Sequence, residues 1–288
     1  MMETTPTMEI GSRPGHGFGT MPVFLAAIST ILGAIMFLRF GWAIGHQGIW
    51  GALLIVAVGH LITIPTALAV SEIATNRKVE GGGEYYIISR SFGANIGAAI
   101  GVSLYLSQAI SVAFYMIAFA QSFTPLYPWI RETLGFTPDP RMFSLPVALI
   151  LAVLVFKKGA SMGVMLLYSV VAILFFSLLA FFAGGSWDFS NIANTSSPIP
   201  KHHEWSYVFA VCFPAFTGMT AGVGLSGDLS NPRRSIPLGT MTATLLGFVI
   251  YTLTVLKLGI NGTPEQLASD ELYMSKVAIW GWIIPFGL

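Results

Sequence analysis

Long apolar runs alternate with short polar stretches along most of the chain. Runs at residues 21–44, 49–74, 96–123, 143–156, 162–184, 205–230 and 236–258 predict seven membrane-spanning helices, here called spans 1 to 7. A bilayer core needs about 20 apolar residues in a helix, and most of these runs reach that length. Span 2 ends at Ser71 and Glu72, and span 4 stops at Lys157 and Lys158. Between spans 2 and 3 lies a Gly-rich segment with charges at both ends, where Gly81, Gly82 and Gly83 predict a tight re-entrant turn. A polar loop marked by Pro125, Pro128, Pro138 and Pro140 follows span 3. Residues 185–204 are polar and belong outside the membrane, and residues 261–273 hold room for a short surface helix. A further apolar run opens near Val277 and is cut off at Leu288, with no packing partner in sight. The expectation is a fragment of a longer chain.

Span 6 begins as a membrane helix and then departs from one. Pro214 has no N–H to return to Ala210, and Thr217, Gly218, Thr220, Gly222, Gly224, Ser226 and Gly227 crowd the next turns. A helix broken inside the bilayer needs ligands for its freed backbone groups. Span 1 carries its own interruption, at Ser29, Thr30, Ile31, Leu32, Gly33 and Ala34. Taken alone, that cluster also fits ordinary close packing of small residues. The matching break in span 6 favours the other reading, because corresponding breaks in two halves mark inverted-repeat transporters.

Composition sharpens the class. The chain has 288 residues, 54% hydrophobic and only 9% charged, where soluble domains carry about 25%. The mean hydropathy is +0.73. The fold class expected is an all-α polytopic membrane protein. Residues 1–20 are polar, lack the apolar core of a signal peptide and read as a cytoplasmic tail. With that tail inside, the inner side holds Arg13, Arg77, Lys78, Arg90, Lys157, Lys158, Arg233 and Arg234. The outer side holds Arg131, Arg141, Lys201, Lys257 and Lys276, so the balance favours this orientation. Trp42, Trp129 and Trp187 near span ends are interface anchors.

The chemistry available is narrow. No nucleophile–base set suggests an enzyme, and no basic patch suggests nucleic acid. The lone Cys212 excludes internal disulfides and a cysteine metal cluster. His202 and His203 read as solvated loop, not as a transition-metal site. Gly81, Gly82 and Gly83 lack the Lys-Ser/Thr of a nucleotide loop. What remains is the backbone at the two breaks. Carbonyls at the end of a half-helix carry partial negative charge and suit a cation. Amides at the start of the next half-helix suit an anion. The carbonyls of Ser29, Thr30, Ile31 and Leu32 therefore face a cation, as do the Pro214 carbonyl and the Thr217 hydroxyl. The amides of Gly33, Ala34 and Ile35, and those of Gly218, Met219 and Thr220, face an anion. No carboxylate lies at this depth, so a co-bound anion would offset the cation. Glu72 and Asp228 stand at inner helix ends, as structural or inner-gate residues.

Three segments resemble the cation–chloride cotransporter family: TILGAIMFLRFGWAIGHQG, ATNRKVEGGGEYYIISRSFG and FPAFTGMTAGVGLSGDLSNPRRSIPLGT. The resemblance covers about residues 19–260, most strongly in GGGEYYIISRSFG and SGDLSNPRRSIPLGT, and suggests a fragment of a bacterial-type member. It implies the five-plus-five inverted-repeat fold of the amino acid–polyamine–cation superfamily, truncated here after about seven spans. Residues 21–184 would form the first repeat, residues 185–204 an extracellular loop and residues 205–288 an incomplete second repeat. It implies symport of Cl⁻ with K⁺, Na⁺ or both, with no cofactor, from a plasma or inner membrane, and it leaves a homodimer open. The K⁺ ligands implied are Thr30 (where the family usually has Asn), Ile31, Tyr115, Pro214 and Thr217. The Cl⁻ sites implied are Gly33, Ala34 and Ile35, and Gly218, Met219 and Thr220, the second also needing a Tyr from a later helix. Ser29 and Leu32 match part of a Na⁺ site whose two Ser ligands belong to helix 8. Arg39 matches the arginine of an outer gate whose acid position is Gln121 here, which removes the ion pair and leaves a hydrogen bond open. The alternatives to a cation–chloride symporter are an amino acid permease of the same superfamily and a non-transporting fragment or subunit. Tyr115 and Arg39 have plainer readings too, as a packed ring and a snorkelling side chain.

Overall fold

A computed structural model describes residues 17–76 and 82–288, except for the side chains of residues 155 and 158–161. The described chain is helical, apart from one isolated bridge, and carries five stretches long and apolar enough to cross a membrane. They are Thr20–Asn76, Ala94–Leu134, Met162–Ala183, Trp205–Asp228 and Pro232–Asn261.

The first of these holds both span 1 and span 2. Helix α1 runs Thr20–Ile31 and stops. Leu32 and Gly33 leave the helix, and α2 then runs Ala34–Asn76. The loop expected between spans 1 and 2 is a single-residue joint instead. Gly48 sits at φ 67°, ψ 170°, and the chain is helical on both sides. That conformation is open only to glycine, and a Cβ there would also stand 2.7 Å from the Ser196 carbonyl oxygen.

Helix α3 (Gly83–Phe92) starts at the Gly-rich segment, where Gly82 and Gly83 have φ of 113° and 52°. This backbone fits the expected turn, although Gly81 lies outside the described residues. Gly93, at φ 86°, hinges α3 onto α4 (Ala94–Ser122). After α5 (Tyr127–Leu134) comes a correction. Spans 4 and 5 are one continuous helix, α6, from Arg141 to Ala183. The Lys157–Lys158 pair does not stop it, because lysine is a good helix former and no proline follows. At 1.5 Å per residue its 43 residues reach about 64 Å, twice the hydrocarbon thickness.

Span 6 breaks where proline and glycine say it should. Helix α7 covers Trp205–Cys212, and 3-10 turns follow over Phe213–Phe216 and Gly218–Asp228. A long 3-10 stretch has poorer hydrogen-bond geometry than an α-helix and often marks a hinge. Helix α8 (Pro232–Asn261) then forms the centre of the molecule, packed on α1, α2 and the 3-10 stretch. The short surface helix expected in 261–273 is α9 (Pro264–Ser269), closed by a reciprocal Thr263–Gln266 capping box. Helices α10 (Tyr273–Val277) and α11 (Ile284–Gly287) finish the chain, with α11 against α6.

Two straps cross the ends of this core. On one side the Phe18 amide donates to Asp228 O at 3.2 Å, and the Ser230 amide donates to Phe18 O at 2.9 Å. On the other, the 185–204 loop lies on α8. Thr195 Oγ1 donates to Gly259 O at 2.8 Å, and Lys257, fully buried, donates to Ser186 O and stacks 4.2 Å from the Trp187 ring. Beyond the spans, a hydrogen bond to Asp270, and its charge, raise Lys276 above the usual lysine range.

Candidate functional site

The two breaks meet face to face. A Cβ on Gly218 would stand 2.6–2.8 Å from Thr30 Cγ2, Cβ and carbonyl carbon. Only glycine lets the second break come this close to the first. A Cβ on Gly33 would meet Thr30 O at 3.3 Å, Ser29 O at 3.4 Å and the Tyr115 ring at 3.7 Å. The end of α1, the start of α2 and the middle of α4 therefore converge on one point.

At that point lies a cavity of about 10 Å³ walled by Thr30, Ile31, Gly33, Ala34, Ile35, Tyr115, Pro214 and Ala215. This is room for about one water-sized sphere. Seven of its eight walls are residues the sequence singled out, and Ala215 is the addition. It adjoins a vestibule of about 980 Å³, whose walls include Arg39, Tyr115, Thr217, Gly218 and Thr220 near the breaks, and Gly82, Gly83 and Glu84 further along. Ser29, Leu32, Met219 and Gln121 wall neither space, and Leu32 is fully buried. Cys212 is fully buried as well, behind the break and not on the path.

The backbone at the site has the polarity the breaks imply. Gly33 precedes α2, so the amides of Ala34 and Ile35 open its first turn without partners inside the helix. The Leu32 amide caps α1 by donating to Ile28 O at 2.8 Å. The Ser29 and Thr30 hydroxyls turn back to donate to Ala26 O, at 3.1 and 2.8 Å. In the second break the Thr217 hydroxyl donates to Pro214 O at 2.8 Å, and its own lone pairs stay available.

One residue is placed differently from expectation. Arg39 pairs with Glu271, Nη1 to Oε1 at 2.6 Å, instead of Gln121. Glu271 comes from the polar segment after α9, so motif matching within spans had no means of finding it. His203 stands exposed in its loop, as expected, and has partners there. Its amide donates to His46 Nδ1 at 3.2 Å, and its ring stacks among His46, Trp42 and Tyr207. Another residue carries no mark in the sequence at all. Tyr251, fully buried on α8, donates its hydroxyl to Ile31 O at 2.6 Å. A tyrosine in an apolar helix gives no local signal of such a role.

The family profile described as amino acid permease matches residues 22–278. "Cation-chloride cotransporter 1" of Oryza sativa subsp. japonica is 28% identical over 94% of this chain and 32% of its own length. The "bumetanide-sensitive sodium-(potassium)-chloride cotransporter" of Manduca sexta is 32% identical over 93% of this chain and 28% of its own. "Solute carrier family 12 member 8" of Mus musculus is 30% identical over 94% of this chain and 39% of its own. The chain thus spans well under half the length of the curated relatives it matches.

Proposed function

The chain belongs to the amino acid permease family, and on that premise we propose that it carries the ion-binding part of a secondary symporter for Cl⁻ with K⁺, Na⁺ or both. The observation that carries this reading is the small cavity where the two breaks meet, with room for about one water-sized sphere and lined by residues of both breaks and by Tyr115. The carbonyls of Thr30, Ile31 and Pro214 with the hydroxyls of Tyr115 and Thr217 form the K⁺ site. The amides of Gly33, Ala34 and Ile35, and of Gly218, Met219 and Thr220, hold Cl⁻. Ser29 and Leu32 contribute carbonyls to a Na⁺ site completed elsewhere. The two breaks belong to two inverted repeats, residues 21–184 and 205–288, that rock around the site. Arg39 and Glu271 form the outer gate. The role is transport, not catalysis, in a bilayer, with the N-terminus cytoplasmic and a homodimer left open.

The test is uptake of labelled Rb⁺ and Cl⁻ in cells producing the full-length protein. Each flux should require the other ion. The second reading, an amino acid permease, draws on the family profile and on the vestibule of about 980 Å³, which is large enough for such a substrate. Amino acid uptake that persists without chloride would favour it and overturn the first.

A further inference from the structure

Helix α8 reaches into the first break through one side chain. The peptide unit joining Ile31 to Leu32 is clamped at both ends. Its N–H donates to Ile28 O at 2.8 Å, and its carbonyl accepts the Tyr251 hydroxyl at 2.6 Å. Gly247 makes this reach feasible. It lies one turn before Tyr251 on the same face, and a Cβ there would stand 2.7 Å from Ile31 Cγ2. The phenol ring is itself fixed, 4.7 Å from Phe40 and 5.0 Å from Phe216, edge to face with the latter. Phe40 extends from the first break and Phe216 belongs to the second, so one residue of α8 is braced against both.

We propose that Tyr251 is a positioning residue for the ion site, setting the direction of the Ile31 carbonyl at the helix break. This rests on the cation-site reading above. A carbonyl oxygen has two lone pairs. At a helix end neither is held by the helix, so apart from Tyr251 only the Leu32 N–H bond to Ile28 O restrains the tilt of this peptide. The Tyr251 hydroxyl takes one lone pair and thereby aims the other. Because the ring is fully buried, no water replaces the hydroxyl if it is removed. Without it the carbonyl turns toward whatever donor is near, and cation affinity falls while the anion-binding amides of the next half-helix keep their geometry.

The experiment compares Tyr251→Phe with the unsubstituted protein, both as the full-length chain, in Rb⁺-dependent Cl⁻ uptake, separating half-saturation from maximal rate. A lost buried hydrogen bond of ordinary strength predicts about a tenfold rise in the Rb⁺ half-saturation. The Cl⁻ half-saturation and the maximal rate at saturating Rb⁺ should stay near the original. Gly247→Ala, which pushes α8 off Ile31 while keeping the phenol, should give the same Rb⁺-selective rise and serves if the Phe variant does not fold. Phe248→Leu trims the neighbouring aromatic cluster without touching the bond, and should leave the Rb⁺ half-saturation unchanged. An unchanged Rb⁺ half-saturation in Tyr251→Phe, or an equal rise in Phe248→Leu, overturns the positioning role alone. Chloride uptake indifferent to Rb⁺ and Na⁺ in the unsubstituted protein removes the cation site, and the positioning role with it.

Discussion

Tyr115 meets the first break from α4, with its ring 3.7 Å from where a side chain on Gly33 would begin. If its hydroxyl is a cation ligand, Tyr115→Phe should raise the K⁺ half-saturation for uptake several-fold, with Cl⁻ affinity kept. An unchanged K⁺ half-saturation would show the ring to be packing only. Tyr115 could be picked from the sequence because a family motif marks its position. Tyr251 could not, since its partner is a backbone oxygen 220 residues away in sequence. Backbone ligands are legible only through the residues that break the helix around them. Side chains that hold those ligands from another element are not. Glu271 illustrates the same limit: only the fold brings it within 2.6 Å of Arg39.

Among elements, the breaks were the most legible feature, because proline and clustered glycine act locally on the backbone. Span 6 fails as an α-helix from Phe213 onward, one residue before the proline. The joint between spans 1 and 2 and the continuity of α6 were not legible. In the first case one glycine does the work of a loop, and in the second a charged pair continues a helix that it would have been expected to end. The joint makes a direct prediction. Gly48→Ala places a side chain at φ 67° and against the Ser196 carbonyl, a cost of about 2 kcal/mol. The variant should melt several degrees lower. Cys212 supplies the readout, because it is fully buried and is the chain's one cysteine, so a thiol-reactive dye reports unfolding. An unaltered melting temperature would mean that the joint tolerates a left-handed side chain.

For the whole molecule, composition and run length were enough to give an all-α membrane protein, because the bilayer leaves few alternatives to helices. The packing order was not legible: nothing in the sequence puts α8, late in the chain, at the centre between α1 and α2. Its glycines at 239 and 247 let α1 approach, but small residues are common in every span. Orientation remains an expectation from charge, and the single buried cysteine makes it simple to test. A cysteine at Ser197 should react with an impermeant maleimide from outside intact cells, and one at Arg233 only after permeabilisation. The reverse pattern would turn the molecule over. The Gly48 joint also bears on how this protein can be handled. Where two spans are normally linked by a tether of several residues, an epitope tag, a protease site or a fluorescent domain can be inserted. Here there is no slack to receive one: residues on both sides of Gly48 are helical and the glycine itself is buried. Spans 1 and 2 will therefore resist being cut apart or expressed as separate pieces. Labels belong on the 185–204 loop, at an exposed site such as Ser197, away from the residues that strap it to α8.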